Sequence, residues 1–209
     1  MNIYYILFLL ILTTFRQVSH AHIPSEGKVS ATLAGMAEIG IETTAGVRRP
    51  VFGGAGLIVE GDISSNGGIE LSLLYTTNQY ALEKEGNLLV ERVNRMYVPL
   101  GYRYWFSSKF SGGLGFFSAY KMGRVDEIFR SSSLSPLAKT SAYDTTEYGV
   151  DFSIGYDFKT SKKYAITFDA RYSWPVTDKQ FEEASQYLIL IGLKYEVQRK
   201  EKPKKEQLR

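Results

Sequence analysis

The feature of this chain that most constrains its fold is an alternation of apolar and polar side chains. Every even-numbered residue from 150 to 158 is apolar and the residues between them are charged or small. Segments 164–174 and 189–197 follow the same pattern, with Leu190 as an exception. Successive side chains of a β-strand point to opposite faces, so each segment predicts a strand with one apolar face. On an α-helix the same residues would be scattered around the axis.

The alternation extends over most of the chain and divides it into eight predicted strands. The connections between them alternate between short, turn-like segments and longer ones. An even number of strands joined in this way predicts an all-β fold, an eight-stranded antiparallel up-and-down β-barrel. The predicted strands lie near residues 29–42, 55–63, 69–78, 90–106, 111–122, 146–158, 164–174 and 186–197.

The connections predict which rim of the barrel faces which compartment. Short turns gather at one rim, which is periplasmic in outer-membrane barrels, and long loops gather at the other. Pro99 lies within the fourth predicted strand and cannot donate a ladder hydrogen bond. Because a closed barrel has no edge strand, we expect a bulge or a locally missing bond there. The short connections are 64–68, 107–109 and 159–163, and the long ones are 43–54, 79–89, 123–145 and 175–185.

The polar face of the strands carries charges of both signs among small residues, which favours a transmembrane barrel over a soluble one. A soluble lipid-binding barrel points its apolar side chains inward, whereas a membrane barrel points them outward. Tyr102, Tyr104 and Phe106 lie near a short turn, where an aromatic girdle would meet the membrane surface. We therefore predict a transmembrane β-barrel whose lumen holds a structural charge network of Glu38, Glu60, Asp62, Glu70, Arg95, Arg103, Asp151, Asp157, Asp169, Arg171, Lys194 and Glu196.

The N-terminal 21 residues are predicted to be a cleaved signal peptide. The apolar run from Ile3 to Leu12 is too short to cross a bilayer, which takes roughly 20 residues. Ser19-His20-Ala21 offers small residues to a signal peptidase. The expected organisation is therefore a signal peptide at 1–21, a barrel domain at 22–197 and a basic periplasmic tail at 198–209. The tail is expected to be solvated or to contact phospholipid headgroups or an anionic partner.

Two stretches of the chain resemble the family of small outer-membrane β-barrel domains, the OmpA/OmpX/OmpW-like group. Segment 97–106, followed by the glycine-rich segment 111–116, is similar to the central hairpin of those domains. The last predicted strand is similar to the family's C-terminal assembly signal, carried here by Gly192, Tyr195 and Val197, although Val197 stands in place of an aromatic residue. The resemblance implies a bacterial outer-membrane location, with membrane lipids and the barrel-assembly machinery as partners.

The residue types that most enzymes need are missing from the predicted barrel. The chain has no Cys, and its two histidines, His20 and His22, lie at the predicted cleavage site. A Ser-His-Asp or Cys-His arrangement, or a His-based zinc site, cannot form without them. We therefore expect no enzyme activity, no cofactor and no metal. The formal net charge of +3 is too small to predict nucleic-acid binding.

The predicted lumen favours a function in the external loops. Eight strands leave an interior only wide enough for side chains, so the barrel would be a plug. The leading hypothesis is a structural or surface-interaction role, with an external ligand at loop 123–145. The alternatives are a narrow channel for ions or small apolar solutes, and a soluble periplasmic lipid-binding barrel. Four apolar side chains of the loop could contact a ligand: Ile128, Phe129, Leu134 and Leu137.

Overall fold

The computed structural model describes residues 27–39, 51–159, 163–177 and 182–197. The predicted signal peptide and the basic tail lie outside these residues. The part of the chain that is described contains no apolar helix of membrane-spanning length. Its elements, in chain order, are β1 (Val29–Ile39), β2 (Val51–Asp62), β3 (Gly67–Lys84), β4 (Asn87–Trp105), β5 (Phe110–Lys121), β6 (Asp126–Arg130), the 3₁₀ helix η1 (Ser141–Tyr143), β7 (Thr146–Lys159), β8 (Tyr164–Pro175), β9 (Glu182–Glu183) and β10 (Gln186–Val197).

Eight of these strands close into one antiparallel barrel in the order β1-β2-β3-β4-β5-β7-β8-β10. The barrel closes where β10 returns to β1, with Val29 opposite Val197 and Ile39 opposite Tyr187. Closure leaves the barrel sheet without a free edge, so its strands pair on both sides, as a membrane interior requires. The structure thus confirms the predicted eight-stranded antiparallel up-and-down barrel.

The apolar side chains of the barrel strands point outward. Phe116 is 75% exposed, Leu33 is 71% exposed and Ile191 is 60% exposed, whereas the inward-pointing Asp151 is 5% exposed. A continuous apolar surface of this kind is unfavourable in water and favourable against hydrocarbon. The barrel is therefore a transmembrane barrel, and its side chains are arranged in the opposite sense to those of a soluble lipid-binding barrel.

Exposed aromatic side chains mark both edges of this apolar belt. Tyrosine and tryptophan combine an apolar ring with a polar group, so they favour the membrane–water interface. The two groups therefore bracket the part of the barrel that spans the membrane. The periplasmic group comprises Tyr102, Tyr104, Phe106, Phe158, Tyr164 and Tyr195, and the extracellular group comprises Tyr75, Tyr120, Tyr148, Trp174 and Tyr187.

The hairpin of β3 and β4 extends beyond the extracellular edge of the belt. Residues 79–89 were predicted as a loop, and this prediction is wrong, because the strands pair up to Lys84 and Asn87. The turn between them has positive φ at both central residues, 54° at Glu85 and 76° at Gly86, as a two-residue hairpin turn requires. β6 pairs with β4 and β9 pairs with β3, which gives a four-stranded extracellular extension in the order β9-β3-β4-β6. The predicted loop 43–54 is also too long, since β2 begins at Val51.

Pro99 interrupts the pairing of β3 with β4, as expected. The ladder runs without a register shift on both sides of a gap between the pairs Leu71–Leu100 and Leu74–Tyr97. The side of β4 that faces β5 keeps its pairing, with Pro99 opposite Phe117. The missing amide hydrogen of proline therefore costs the barrel one short stretch of ladder without changing the strand register.

Candidate functional site: the lumen and the extracellular extension

Four charged side chains form a closed ring of ion pairs across the periplasmic half of the lumen. Arg103 donates from Nε to Glu70 and from Nη2 to Asp169, both at 2.6 Å. Arg171 donates from Nη2 to Glu70 and from Nε to Asp169, both at 2.7 Å. Each guanidinium thus bridges the same two carboxylates. All four side chains are buried, and this geometry offsets the large cost of removing charges from water.

Further ion pairs extend this ring toward the periplasm. Lys194 Nζ lies 2.6 Å from Glu60 and 3.2 Å from Asp157. On the other side of the ring, Arg171 Nη1 lies 3.4 Å from Asp151, which also accepts a 2.7 Å hydrogen bond from Ser173. We call these residues and the ring the periplasmic network. The alternating pattern brings them together because each lies at an inward position of its strand.

A glycine makes room for the ring. A Cβ atom at Gly155 would lie 2.5 Å from Arg103 Nη1 and 2.8 Å from Ser111 Oγ. Ser111 in turn accepts a 2.9 Å hydrogen bond from Arg103. Gly155, an inward residue of β7, therefore leaves room for the Arg103 guanidinium. This agrees with the small residues found among the charges on the polar face.

An apolar layer occupies part of the lumen on the extracellular side of the ring. Its side chains come from six strands around the barrel, and all are at least nine-tenths buried. The lumen was predicted to hold charged side chains, and this apolar layer was not predicted. Its signal was the exception in the alternating pattern, because Leu190 at an inward position packs here. We call this layer the septum: Ala34, Met36, Ile58, Leu74, Tyr97, Phe117, Ala119, Leu188 and Leu190.

A second polar cluster, the extracellular network, lies beyond the septum. Glu38 accepts a 2.6 Å hydrogen bond from Thr76, and Glu147 accepts one of 2.5 Å from Tyr80. Arg95 Nη2 lies 3.7 Å from Glu147. The expected single charge network is therefore divided, with Glu38 and Arg95 on the extracellular side of the septum.

Two of the predicted network residues lie at the periplasmic end of the lumen. Asp62 is buried at the end of β2. Glu196 is only half-buried and forms a 2.9 Å ion pair with Lys28 at the rim. Glu196 thus lies at the mouth of the barrel, outside the enclosed networks.

The interior leaves little free space. Two interior cavities that border the periplasmic network measure about 10 Å³ each. One is lined in part by Glu60, Arg103 and Lys194. A single water molecule needs about that volume. Side chains therefore fill the lumen around these two cavities.

The extracellular end of the barrel is covered by η1, held by two carboxylates. Glu91 accepts hydrogen bonds from the backbone N–H of Thr140 at 3.0 Å and from its hydroxyl at 2.7 Å. Glu182 accepts from the N–H of Ser141 at 2.8 Å and from its hydroxyl at 2.7 Å. Arg95 donates to the carbonyl of Ser141 at 2.8 Å. These bonds connect the cap to the extension and to the lumen.

β6 forms the free edge of the extracellular extension. It pairs with β4 on one side, and no strand of the described residues pairs with its other side. Ile128 and Phe129 are 46% and 43% exposed. A register shift opposite Val90 and Glu91 leaves Ile128 without a partner across the ladder, which is a β-bulge.

The remainder of loop 123–145 folds back against β6. Arg130 bonds Glu127 at 2.8 Å and the carbonyls of Ser135 and Ala138 at 2.9 and 3.2 Å. The hydrogen bond to Glu127 raises the pKa of the Arg130 guanidinium above its ordinary value. Leu134 is half-buried under the loop and Leu137 is 86% exposed. Of the four apolar residues predicted to contact a ligand, Ile128, Phe129 and Leu137 are thus exposed.

The three residues of the predicted C-terminal assembly signal lie on β10. Tyr195 and Val197 point outward near the periplasmic edge of the apolar belt and are 38% and 46% exposed. Gly192 points inward, and a Cβ atom there would lie 2.7 Å from the Thr32 side chain and 2.8 Å from the Leu33 carbonyl. Gly192 therefore permits the close approach of β10 to β1 where the barrel closes.

Two solved structures of outer membrane proteins are similar to this fold. The outer membrane protein OprG of Pseudomonas aeruginosa matches with a TM-score of 0.56 at 13% identity, over 86% of this chain and 99% of that chain. Ail, the attachment invasion locus protein of Yersinia pestis, matches with a TM-score of 0.51 at 15% identity, over 83% of this chain and 100% of that chain. The search of curated proteins gives no match.

A family model described as "Protein of unknown function (DUF3575)" matches residues 55–202, which is more than half of the chain. The matched range contains seven of the eight barrel strands in full or in large part, together with the extracellular extension. The suspected resemblance to small outer-membrane barrels is confirmed at the level of the fold. The chain is an outer-membrane β-barrel and belongs to the DUF3575 family.

Proposed function

We propose that this protein is a sealed outer-membrane barrel that acts by binding a partner at its extracellular surface. The observation that carries the proposal is the combination of a lumen filled by side chains with an extension that ends in the exposed edge strand β6. A filled lumen supports a structural role for the spanning part. The extension then supplies the surface on which recognition takes place.

The recognition mode that this surface favours is strand addition. The outer edge of β6 offers backbone N–H and C=O groups that no strand of the described part uses. An extended segment of a partner can pair with such an edge, and flanking side chains then give specificity. Ile128 and Phe129 would supply apolar contacts, and the charged residues Asp126, Glu127 and Arg130 would set the register.

Three features support this role over a narrow channel or an enzyme. The septum lines the path of ions with apolar side chains from six of the eight barrel strands. The interior cavities near the periplasmic network are no larger than a water molecule. The carboxylates of that network face guanidinium or ammonium groups at 2.6–3.4 Å, which suits a structural role more than acid–base catalysis.

The remaining proposals concern the partners of the spanning part. The outward belt would contact membrane lipids, and β10 would be recognised by the barrel-assembly machinery through Gly192, Tyr195 and Val197. Their placement supports this proposal, because Tyr195 and Val197 are open to contact at the periplasmic edge. The cleaved signal peptide and the periplasmic tail remain predictions from the sequence.

Peptide selection against the folded protein tests the surface-binding proposal. The protein is embedded in lipid nanodiscs and panned with a library of extended peptides of about ten residues, long enough to cover an edge strand. We expect selected peptides to lose binding to the I128K/F129K variant and to retain binding to L137K, a matched control in the same loop. The proposal is wrong if no peptide is enriched, or if the two variants bind the selected peptides equally well.

A further inference from the structure

A polar pocket lies on the outside of the barrel, beside the first residue of β6. It has a volume of about 270 Å³ and is lined by Phe52, Thr77, Arg92, Val93, Asn94, Arg124 and Asp126. The pocket lies where the barrel wall opens. Pairing between β2 and β3 ends at Ala55 and Tyr75, so the extracellular end of β2 is no longer paired with the extended hairpin.

The outward residues of β3 and β4 show at what height in the membrane the pocket lies. Leu73 and Tyr75 are exposed apolar residues of the belt, and the next outward residue of β3 is Thr77. On β4 the outward face likewise changes from Met96 to Asn94. An outward face that changes from apolar to polar in this way marks the boundary between hydrocarbon and headgroups. The pocket therefore opens at the headgroup level of the outer leaflet.

The charge of the pocket favours an anion. Arg92 forms a 3.2 Å ion pair with Asp126, and both side chains remain partly exposed. Arg124 is exposed, and the structure shows no ion pair between it and another described residue. The three groups together carry one net positive charge. Arg92 can share its planar guanidinium between Asp126 and a second acceptor, and Arg124 can bind a phosphate through two parallel hydrogen bonds.

Neutral polar groups complete the pocket. Thr77 Oγ1 donates to Asn94 Oδ1 at 2.7 Å, which leaves the Asn94 NH₂ group as a donor toward the pocket. Asp126 supplies acceptors on the same side. Amide donors and carboxylate acceptors of this kind bind hydroxyl groups, so the pocket offers sites for a headgroup that carries both phosphate and hydroxyls.

We propose that this pocket binds the phosphate of an outer-leaflet lipid headgroup, with Arg92 and Arg124 on the phosphate and the acyl chains descending along Tyr75 and Met96. The lipid would fix the height of the barrel and orient the extracellular extension above the membrane. Its location at the headgroup level favours a lipid over a dissolved anion, because the apolar face directly below would contact the attached chains.

The test compares lipid retention by two charge-matched variants. The full chain and the variants R92Q/R124Q and K84Q/K139Q are reconstituted in phosphatidylcholine nanodiscs that contain a minor fraction of phosphatidic acid. Lys84 and Lys139 lie on the extracellular part but do not line the pocket. Native mass spectrometry then measures the phosphatidic acid that each protein retains. We expect about a tenfold loss of retention for R92Q/R124Q and no change for K84Q/K139Q.

Each other outcome overturns the proposal. If R92Q/R124Q retains as much phosphatidic acid as the unaltered protein, the pocket is not the binding site. If both variants lose equal amounts, the retention reflects net charge and not this pocket. Inorganic phosphate is then added at about 10 mM, a concentration that would saturate a specific site for free phosphate. We expect the bound lipid to stay in place. Displacement by that phosphate would identify a free-anion site instead. If R92Q/R124Q fails to fold, the single variant R124Q carries the same comparison against K139Q.

Discussion

Single residues decide how charge is accommodated inside this barrel. In the ring of Arg103, Glu70, Arg171 and Asp169, each charge contacts two of opposite sign. Removing one arginine would leave two buried carboxylates to share the remaining guanidinium, which is far more costly than losing an exposed ion pair. The exposed pair of Arg92 with Asp126 is the natural comparison within the same chain.

Replacing Arg103 with Met is expected to lower the free energy of unfolding by about 3–5 kcal/mol, because Glu70 and Asp169 each lose a 2.6 Å partner. The control variant Arg92→Met should lose less than about 1 kcal/mol. Urea unfolding in lipid vesicles, followed by the fluorescence of Trp105 and Trp174, measures both values. Equal losses in the two variants would contradict the assignment of the ring as a buried structural network.

A methyl group inside the ring should also be costly. Gly155→Ala places a Cβ atom 2.5 Å from Arg103 Nη1, so the guanidinium must move, with an expected loss of about 1–3 kcal/mol. Gly35 lies on the lipid-facing side, where a Cβ atom meets nothing within 4 Å. The control Gly35→Ala should therefore change the same free energy of unfolding by no more than about 0.5 kcal/mol. A reversed order of the two variants would refute the inward position of Gly155.

At the scale of elements, the sequence predicts the membrane-spanning part of the β3–β4 hairpin but not its extension beyond the membrane. The apolar parity predicts the spanning strands, because lipid on one side and packed charge on the other impose a period of two. Above the membrane that constraint ends, and Tyr80, Leu88 and Leu89 are all buried within the extension. The cluster around Tyr80 takes Ala142 and Ala184 from distant segments, so no local pattern predicts it.

The structure of the lumen could also be predicted only in part. The inward parity of each charged residue could be predicted, and the structure places these residues at the interior or its mouth. Which charges would pair could not be predicted, because Glu70 and Arg171 are brought together only by the closure of the barrel. The septum could have been anticipated from Leu74, Leu188 and Leu190, three leucines at inward positions of β3 and β10.

The hairpin turn can be tested at Gly86. Its φ of 76° is unfavourable for a β-branched residue, so Gly86→Val should destabilise the tip of the hairpin by about 1–3 kcal/mol. Asn tolerates positive φ, so Gly86→Asn is the control that keeps the turn. Hydrogen exchange of the amides of Tyr80 and Leu89 reports the change. Unchanged protection in Gly86→Val would show that the turn does not hold the extension together.

At the scale of the whole molecule, the septum lies between two hydrogen-bonded polar networks. Its apolar side chains come from six of the eight barrel strands, whereas Asp151 of β7 and Arg171 and Ser173 of β8 are buried polar residues. An ion that passes the apolar side chains would lose part of its hydration, which is unfavourable. The barrel thus combines an outward apolar belt, a lumen largely occupied by side chains and an extracellular extension.

Removing the septum should open the barrel. The double variant L188S/L190S replaces two buried leucines by small polar residues that admit water. We expect discrete conductance steps in planar bilayers for this variant and none for the unaltered protein. The control L193S changes an exposed leucine of the same strand and should stay silent. Conductance of the unaltered protein would contradict the sealed lumen and support the channel alternative.

The central claim is that the apolar parity of each strand faces lipid and the polar parity faces the lumen. The chain has no Cys, so single cysteines can be introduced at neighbouring positions of β7 and labelled with a fluorophore. In vesicles with brominated acyl chains, the label at Phe152→Cys should be strongly quenched and the label at Ser153→Cys should be nearly unaffected. Strong quenching at position 153 with little at position 152 would contradict the account.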